Sequence, residues 1–376
     1  RDEIKVKNVP YSTLIDGDIG YVHLTGFTKD AANEVKQAMS SLKNQNPNLK
    51  GFILDVRDNP GGLLMEAVGI SNLFINKGSK IVETKGRIEG SDRVYEATSS
   101  AYDEQTPLVV LINDKSASAS EIVAGVIQDV DRGGVIGQKS FGKGLVQNTR
   151  PLSYNTQLKI TTSKYYTPSG RCIQAIDYSS RKEDGSVVKI ADSLRKEFKT
   201  KAGRSVYDGG GISPDIKVSD REFHKITQEL VIQNLIFDFA TEFAYKNAKI
   251  PVSREFKISD QIYNQFIEFV SGKSFKYETQ TEKEITHLKE SLQKEAYYDK
   301  IKDHLQQLEA ELANQKKNDI RKYRSEIEPI LHTEIVARYY YQAGRSESDL
   351  MFAQEIEEAK KVLRDPAKYA EILRKK

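Results

Sequence analysis

A regular alternation of strand-like and helix-like segments constrains the first part of this chain most strongly. The short runs Gly51-Phe-Ile-Leu-Asp-Val56 and Leu108-Val-Val-Leu-Ile112 are almost wholly apolar, as expected for strands that are covered on both faces. Each is followed by a segment with helical spacing, at 64–74 and at 119–129. This succession predicts an α/β fold with a mainly parallel sheet.

Four further segments extend the same pattern. They predict a strand at 20–24, a helix at 30–42, a short strand at 135–136, and a β-hairpin or extended arm at 149–166.

The spacing of apolar residues changes at about residue 220, beyond which almost every segment has helical spacing. Helices are predicted at 222–246, 260–270 and 282–341, and the last range lacks glycine, which favours one long helix or two stacked ones. We therefore predict three parts: a linker strand at 1–16, an α/β core at 17–219, and a helical C-terminal domain at 220–376.

One apolar stripe in the helical region leaves two interpretations open. Ile301, Leu305, Leu308 and Leu312 follow a 4-3-4 step, which places them on one helix face. The stripe fits a helical bundle packed against the rest of the protein. It also fits a coiled coil that binds an adaptor or a second copy of the chain.

Charge and cysteine content exclude several classes of protein. The formal net charge is only +3 and the basic residues are spread throughout, so we expect no nucleic-acid partner. Cys172 is the single cysteine, so no intrachain disulfide can form. The sequence begins at Arg1 rather than methionine, and we therefore expect a trimmed chain that says nothing about export.

A serine-rich turn is the first candidate for chemistry. Lys115-Ser-Ala-Ser-Ala-Ser-Glu121 stands between a predicted strand and a predicted helix. A serine at a helix N-terminus can face substrate, and the free N–H groups there can bind a developing oxyanion. The alternative is capping, because Ser118-x-x-Glu121 is also a capping-box pattern.

A serine hydroxyl needs a base, and the five histidines do not suggest one. Four of them lie at or beyond the start of the helical region, and His23 lies in an early strand, although sequence distance alone cannot exclude a triad. A lysine held between glycines, as in Phe141-Gly-Lys-Gly-Leu145, is the other candidate, because a buried amine readily becomes neutral. The alternative is a surface lysine in a glycine turn.

Two short patterns that partly match known functional motifs are weak evidence for those functions. Gly137-Gln-Lys-Ser-Phe-Gly-Lys143 matches the start of a P-loop, but Gly144 stands where Ser or Thr should meet magnesium. Ser-x-x-Lys occurs twice, at 40–43 and 193–196, with no Lys-Thr-Gly. No spacing typical of a metal site occurs either, so we expect neither metal nor cofactor.

Five segments in this order resemble the C-terminal processing peptidases, or tail-specific proteases, of peptidase family S41. The segments lie at 51–62, 116–125, 140–147, 166–171 and 210–216, within a resemblance that runs from about residue 16 to 218. The resemblance implies a crotonase- and ClpP-like α/β core. It also implies an endopeptidase that cleaves proteins or peptides with free C-termini near nonpolar tails.

The resemblance also assigns roles to individual residues. Ser118 would be the nucleophile, Lys143 the general base, and Gln147 the group that orients the lysine. If 143 and 147 lie on one strand, their side chains share a face. The oxyanion would bind the N–H of Ala119 and of Gly61 or Gly62. Glu121 and Asp129 would be supporting residues.

Some features depart from the family pattern. Family members usually carry a PDZ domain before the core, and residues 1–7 resemble the strand that leaves it, so we expect that this domain was cut away. Lys115 stands where many relatives have glycine. The region from about 219 resembles the long extension of Bacteroidetes-type members, which implies export to the periplasm or cell envelope.

Two other functions remain possible on the same fold. One is a binding or scaffold protein that has lost catalysis, although the intact Ser118, Lys143 and Gln147 argue against it. The other is an acyl-CoA enzyme of the crotonase type, which would not need the Phe-Gly-Lys-Gly or the serine-rich segment.

Overall fold

The computed structural model describes residues 6–87, 90, 92–181, 187–219 and 222–374. Contacts within the chain divide it into two compact units. The first unit comprises Arg1–Asp220 and Gln354–Lys376, and the second comprises Arg221–Ala353. The strand expected at 1–7 lies largely outside the described residues.

The first unit contains all of the described strands and five of the described helices. Its strands are β1 Tyr11–Ile15, β2 Ile19–His23, β3 Gly51–Asp55, β4 Lys80–Gly86, β5 Arg93–Glu96, β6 Leu108–Ile112, β7 Gly134–Gly137, β8 Leu145–Pro151, β9 Gln157–Tyr166, β10 Ile176–Arg181, β11 Val187–Lys189, β12 Glu197–Lys199, β13 Ser205–Tyr207 and β14 Ile216–Lys217. Its helices are α1 Ala31–Gln45, α2 Leu64–Asn72, α3 Ala119–Asp129, α11 Gln354–Arg364 and α12 Pro366–Ile372, with a 3-10 turn at Asp192–Leu194.

A mainly parallel sheet forms the centre of the first unit. In the described part of the chain it has six strands in the order β1-β2-β3-β6-β7-β14. Only the β1–β2 pair is antiparallel. The apolar runs of β3 and β6 are buried at every residue, because helices cover both faces. The α/β prediction is therefore confirmed, although residues 11–15, expected in a linker, form the edge strand.

Residues 354–376 belong to the first unit and not to the helical domain in which the sequence placed them. Side chains alternate across β3, so Gly51 and Phe52 face opposite sides of the sheet. Phe52 lies toward Leu42 of α1, whereas Leu363 of α11 packs over Gly51. Helix α11 thus covers the sheet face opposite α1.

A second, antiparallel sheet carries a long hairpin. Its order is β5-β4-β9-β8 among the described residues, and β8 and β9 form the hairpin predicted at 149–166. β8 begins only two residues after Lys143. The hairpin therefore begins close in sequence to the predicted base, Lys143.

The regular secondary structure described in the second unit is helical, with loops at 247–259 and 272–279. Its helices are α4 Lys225–Ile232, α5 Leu235–Lys246, α6 Asp260–Ser271, α7 Gln280–Lys294, α8 Tyr298–Lys316, α9 Asp319–Lys322 and α10 Arg324–Phe352. Buried aromatic and aliphatic side chains form a core of its own, including Phe239, Phe266, Leu331 and Ile335. The described helices include none long and apolar enough to cross a membrane.

The region 282–341 contains more helices than the one or two that the sequence predicted. The chain turns at Ala296, which has a φ of 58°, and α10 breaks sharply at Tyr341. Neither position is a glycine, so the usual sequence signal for a helix end is missing. Of the predicted stripe, Leu305 is buried, Ile301 and Leu312 are half-buried, and Leu308 is exposed.

Candidate active site

Ser118 lies at the N-cap of α3, in the loop that follows β6. Its backbone has φ 57° and ψ −112°, a conformation that L-residues rarely adopt. Strain of this kind persists only where the surroundings fix it, and it is typical of nucleophiles presented on a sharp strand-to-helix turn. The side chain is half-buried, so a substrate can reach it.

The other two serines of the segment have structural roles. Ser116 and Ser120 are fully buried, and their hydroxyls donate to main-chain carbonyls. Ser116 bonds to the Val56 oxygen at 2.7 Å, and Ser120 bonds to the Asn59 oxygen at 2.9 Å. Both hydroxyl protons are thus committed, which leaves Ser118 as the candidate nucleophile.

Asn59 holds the glycine turn against the Ser118 loop, a role that sequence reasoning missed. The side chain is fully buried; its amide donates to the Leu24 oxygen and its Oδ1 accepts from the Gly61 N–H. The Asn59 carbonyl accepts from the Ala117 N–H at 3.0 Å. The sequence signal that could have indicated this role is the asparagine within the Asn-Pro-Gly-Gly turn.

Gly61 and Gly62, which the sequence could not separate, occupy different environments. Gly61 has a φ of 92°, and a Cβ there would lie 2.9 Å from the Ser118 Cβ, so only glycine permits the close approach. Its N–H already donates to Asn59. The described residues offer no acceptor to the N–H of Gly62 or of Ala119.

A single buried carboxylate, that of Glu121, joins the nucleophile loop to the lysine loop. Its Oε2 accepts from the N–H groups of Ser118 and Lys143, both at 2.8 Å. Its Oε1 accepts from Gly142 N–H at 2.7 Å and from the Ser140 hydroxyl at 2.6 Å. Burial raises the pKa of Glu121, and these hydrogen bonds oppose that rise. The capping box of Ser118-x-x-Glu121 is present, and the same carboxylate also fixes Lys143.

Lys143 is half-buried in a segment whose neighbours must be glycine. Gly142 has a φ of 89°, and a Cβ there would meet Ala175. A Cβ at Gly144 would lie 2.8 Å from the Gln174 nitrogen. The Tyr165 hydroxyl bonds to the carbonyls of both Ser118 and Lys143. The structure therefore brings the backbones of these two residues together.

Gln147 lies on β8, four residues after Lys143. Lys143 precedes β8, which begins at Leu145, and the pairing register shifts between Val146 and Gln147. The extra residue at this shift belongs to β9, where Thr162 lies between the partners of Val146 and Gln147. Gln147 is exposed and pairs with Thr161 across the hairpin.

Asp129, at the end of α3, anchors the segment that follows β9. Its carboxylate pairs with the buried Arg171 guanidinium at 2.7 Å and accepts the Ser169 N–H at 3.0 Å. Gln128 accepts from the same guanidinium. Asp129 thus supports the fold around the site, and its contacts are with Arg171 and Ser169 rather than Ser118.

Arg57 and Asp55 form a second buried pair that the sequence did not reveal. The Arg57 guanidinium bonds to both oxygens of Asp55 and reaches Glu355 of α11 at 3.2 Å. Burial alone would raise the pKa of Asp55, but the adjacent Arg57 charge lowers it. This pair fixes the strand end from which the Asn59–Gly62 turn departs.

One of the five histidines, His23, belongs to the first unit. His23 ends β2 beside the ring of Tyr21. The other four histidines fall within the second unit.

Comparison with known proteins relates two regions of the chain to families of proteases. Residues 18–183 match the model of peptidase family S41. The chain contains an S41 peptidase domain. Residues 226–363, which follow this S41 domain, match the C-terminal helical domain of a probable PDZ-protease. The α/β fold with a helical C-terminal region is therefore that of an S41 protease.

The relatives are carboxy-terminal processing proteases. The chain is 47% identical over 178 residues to the carboxy-terminal-processing protease of Bartonella bacilliformis, covering 47% of this chain and 40% of that protein. It is 39% identical over 173 residues to CtpA of Bacillus subtilis, covering 46% and 36%. The chain thus spans less than half the length of these relatives.

Among solved structures, the photosystem II D1 C-terminal processing protease is similar to this chain. The sequence identity is 29% and the TM-score is 0.41, with 57% of this chain and 46% of that chain covered.

Proposed function

We propose that this chain is a serine endopeptidase in which Ser118 is the nucleophile and Lys143 is the general base. The observation that carries the proposal is the Glu121 carboxylate, which binds the main-chain N–H groups of both residues. A serine and its base must lie within reach of each other for proton transfer. The shared carboxylate supports that arrangement.

The chemistry then takes two steps. The Ser118 oxygen attacks the peptide carbonyl carbon while the Lys143 amine accepts the hydroxyl proton, and Gln147 orients the amine. The tetrahedral oxyanion is bound by the N–H groups of Ala119 and Gly62. Gly61 has no side chain and so lets the glycine turn lie close to Ser118. The C–N bond breaks as the lysine returns its proton to the leaving amine, and water hydrolyses the acyl-enzyme.

The proposed substrates are proteins or peptides with free, nonpolar C-terminal tails. The test measures hydrolysis of casein, and of a peptide with such a tail, by the wild-type chain and by the variants Ser118→Ala and Lys143→Ala. Ser41→Ala and Lys77→Ala, at exposed sites of the first unit, serve as matched controls. We expect both active-site variants to lose activity by at least about 1,000-fold and the controls to keep it.

Wild-type rates in both active-site variants would exclude the proposal. Binding of tailed peptides without any cleavage by the wild-type chain would favour the scaffold function instead. Hydrolysis of an acyl-CoA thioester but not of peptides would favour a crotonase-type enzyme.

The family resemblance supports a proposed location, and the apolar stripe at 301–312 supports a proposed assembly. We propose that it acts in the periplasm or cell envelope, which fractionation of the native protein tests; recovery in the cytosol alone would exclude this. Assembly with a second copy or an adaptor through the helices of the second unit is tested by light scattering, where a monomeric mass with no bound partner would exclude it.

A further inference from the structure

Three large nonpolar side chains are exposed at the edges of the candidate active site. Leu63, Met65 and Phe141 are 53%, 61% and 52% exposed, whereas all of the nonpolar side chains of the neighbouring strands β3 and β6 are buried. Scattered exposed nonpolar residues are common, but a group around a functional site marks a binding surface.

Leu63 and Met65 lie on the side of the oxyanion turn. Gly61 approaches Ser118 so closely that a Cβ there would be 2.9 Å from the Ser118 Cβ. Leu63 follows two residues later, a span of at most about 7 Å. Its N–H donates to the Phe27 oxygen at 2.7 Å, which fixes its position. Met65 follows in the first turn of α2.

Phe141 lies on the side of the lysine. Its N–H donates to the Ser116 oxygen at 3.0 Å, two residues before the nucleophile. The next residue, Gly142, donates to Glu121. Phe141 is therefore held between the serine loop and Lys143 while its ring stays exposed.

Two of the exposed charges on these loops are paired with each other. The Lys115 ammonium lies 3.1 Å from the Asp58 carboxylate, and both side chains are mostly exposed. Asp58 precedes the oxyanion turn, and Lys115 precedes Ser118. The loops therefore present one ion pair, the exposed Asp114 and three nonpolar side chains.

We propose that Leu63, Met65 and Phe141 contact nonpolar side chains of the polypeptide next to the bond being cleaved, and so determine the preference for such residues there. The inference rests on the proposed function, because that function requires a polypeptide across Ser118. An extended chain advances about 3.3 Å per residue. The residues flanking the cleaved bond must therefore pass over the oxyanion turn and the lysine loop.

The test compares cleavage of a matched peptide pair. The cuts that the wild-type chain makes in casein are first mapped by mass spectrometry. Two peptides spanning the commonest cut are then made, with leucine or asparagine beside the bond, because these side chains share a shape but differ in polarity. The kcat/KM ratio for the pair is measured for the wild type, for Phe141→Ser, for the double variant Leu63→Ser/Met65→Ser, and for the control Val94→Ser. Val94 is 55% exposed on β5, at the opposite edge of its sheet from β8.

We expect at least one of the two patch variants to lower the leucine-to-asparagine ratio by about ten-fold. The Val94 control should keep the wild-type ratio. An unchanged ratio in both patch variants, with cleavage retained, overturns the inference and leaves the proposed function intact. A wild-type chain that cleaves nothing overturns both.

Discussion

The main-chain N–H groups of Ser118 and Lys143 donate to the same oxygen of Glu121, each at 2.8 Å. Two loops that are 25 residues apart in sequence are thereby fixed to one buried carboxylate. The side chain of Glu121 is fully buried and is surrounded by four donors. The relationship gives this residue a positioning role.

Glu121→Gln should separate the two loops. The amide would present an NH₂ group to two donors that now meet an acceptor, which leaves buried N–H or O–H groups unpaired. We expect the free energy of unfolding to fall by about 2–3 kcal/mol and kcat/KM for peptide hydrolysis to fall by about 100-fold. Urea unfolding and peptide hydrolysis measure the two effects.

Glu34→Gln is the matched control for this change. The Glu34 carboxylate also accepts a main-chain N–H, from Val9 at 2.9 Å, together with the Asn8 amide. This variant should lose stability while keeping kcat/KM. Full activity in Glu121→Gln would show that the shared carboxylate does not position the site.

Gly61→Ala should damage the site through its backbone. The new Cβ would lie 2.5 Å from the Ala117 oxygen and 2.9 Å from the Ser118 Cβ, at a positive φ. We expect a loss of about 3 kcal/mol or more in unfolding free energy, together with the loss of hydrolysis. Gly78→Ala has a similar φ but open space around it. That control should lose only about 1–2 kcal/mol and stay active, and equal losses in the two variants would contradict the packing account.

Leu363→Ala should destabilise the first unit rather than the second. Leu363 is buried, and its methyl groups pack over Gly51 at the start of β3. We expect a cost of about 2–4 kcal/mol from the cavity. Hydrogen exchange should become faster in β3 and β6, while Lys361→Ala, an exposed change on the same helix, should have no effect. Faster exchange confined to the second unit would contradict the assignment of α11.

His332 should make the second unit sensitive to acid. Burial lowers its pKa, although its hydrogen bond to the Phe256 carbonyl acts in the opposite direction. The unfolded chain therefore takes up a proton at a higher pH than the folded chain does. The stability from the neutral histidine is complete above about pH 6.5 and declines as pH falls below that value, by up to about 1.4 kcal/mol per pH unit.

The measurement is urea unfolding followed by circular dichroism at pH 7.5 and 5.5. The loss of stability between these values should be smaller in His332→Gln than in the wild type. His287→Gln, a change at an exposed histidine, should behave as the wild type does. The same pH dependence in all three proteins would exclude His332 as the source.

The sheet of the first unit could be predicted because its local signals agree. The run at 108–112 and the helix at 119–129 are found at the predicted residues, and the strand at 51–56 ends one residue early. Uninterrupted apolar runs bounded by turn residues leave little choice of structure. Helix ends at Ala296 and Tyr341 could not be predicted, because non-glycine residues adopt a positive φ there.

Part of the candidate active site could also be predicted, from the order of motifs rather than from local apolar patterns. The order of family-like segments pointed to Ser118 and Lys143, but the burial of Ser116 and Ser120 could be seen only in three dimensions. The register shift between β8 and β9 and the return of α11 to the sheet depend on contacts distant in sequence. Periodicity within one segment does not report such contacts.

Labelling with a fluorophosphonate tests the central claim most directly, because this reagent phosphonylates an activated serine. After reaction of the intact chain, peptide mapping should place the modification on Ser118 and not on Ser116 or Ser120. The rate of labelling should fall by at least about 100-fold in Lys143→Ala and stay unchanged in His23→Ala. Labelling at another serine, or at the wild-type rate in Lys143→Ala, would contradict the Ser118–Lys143 assignment.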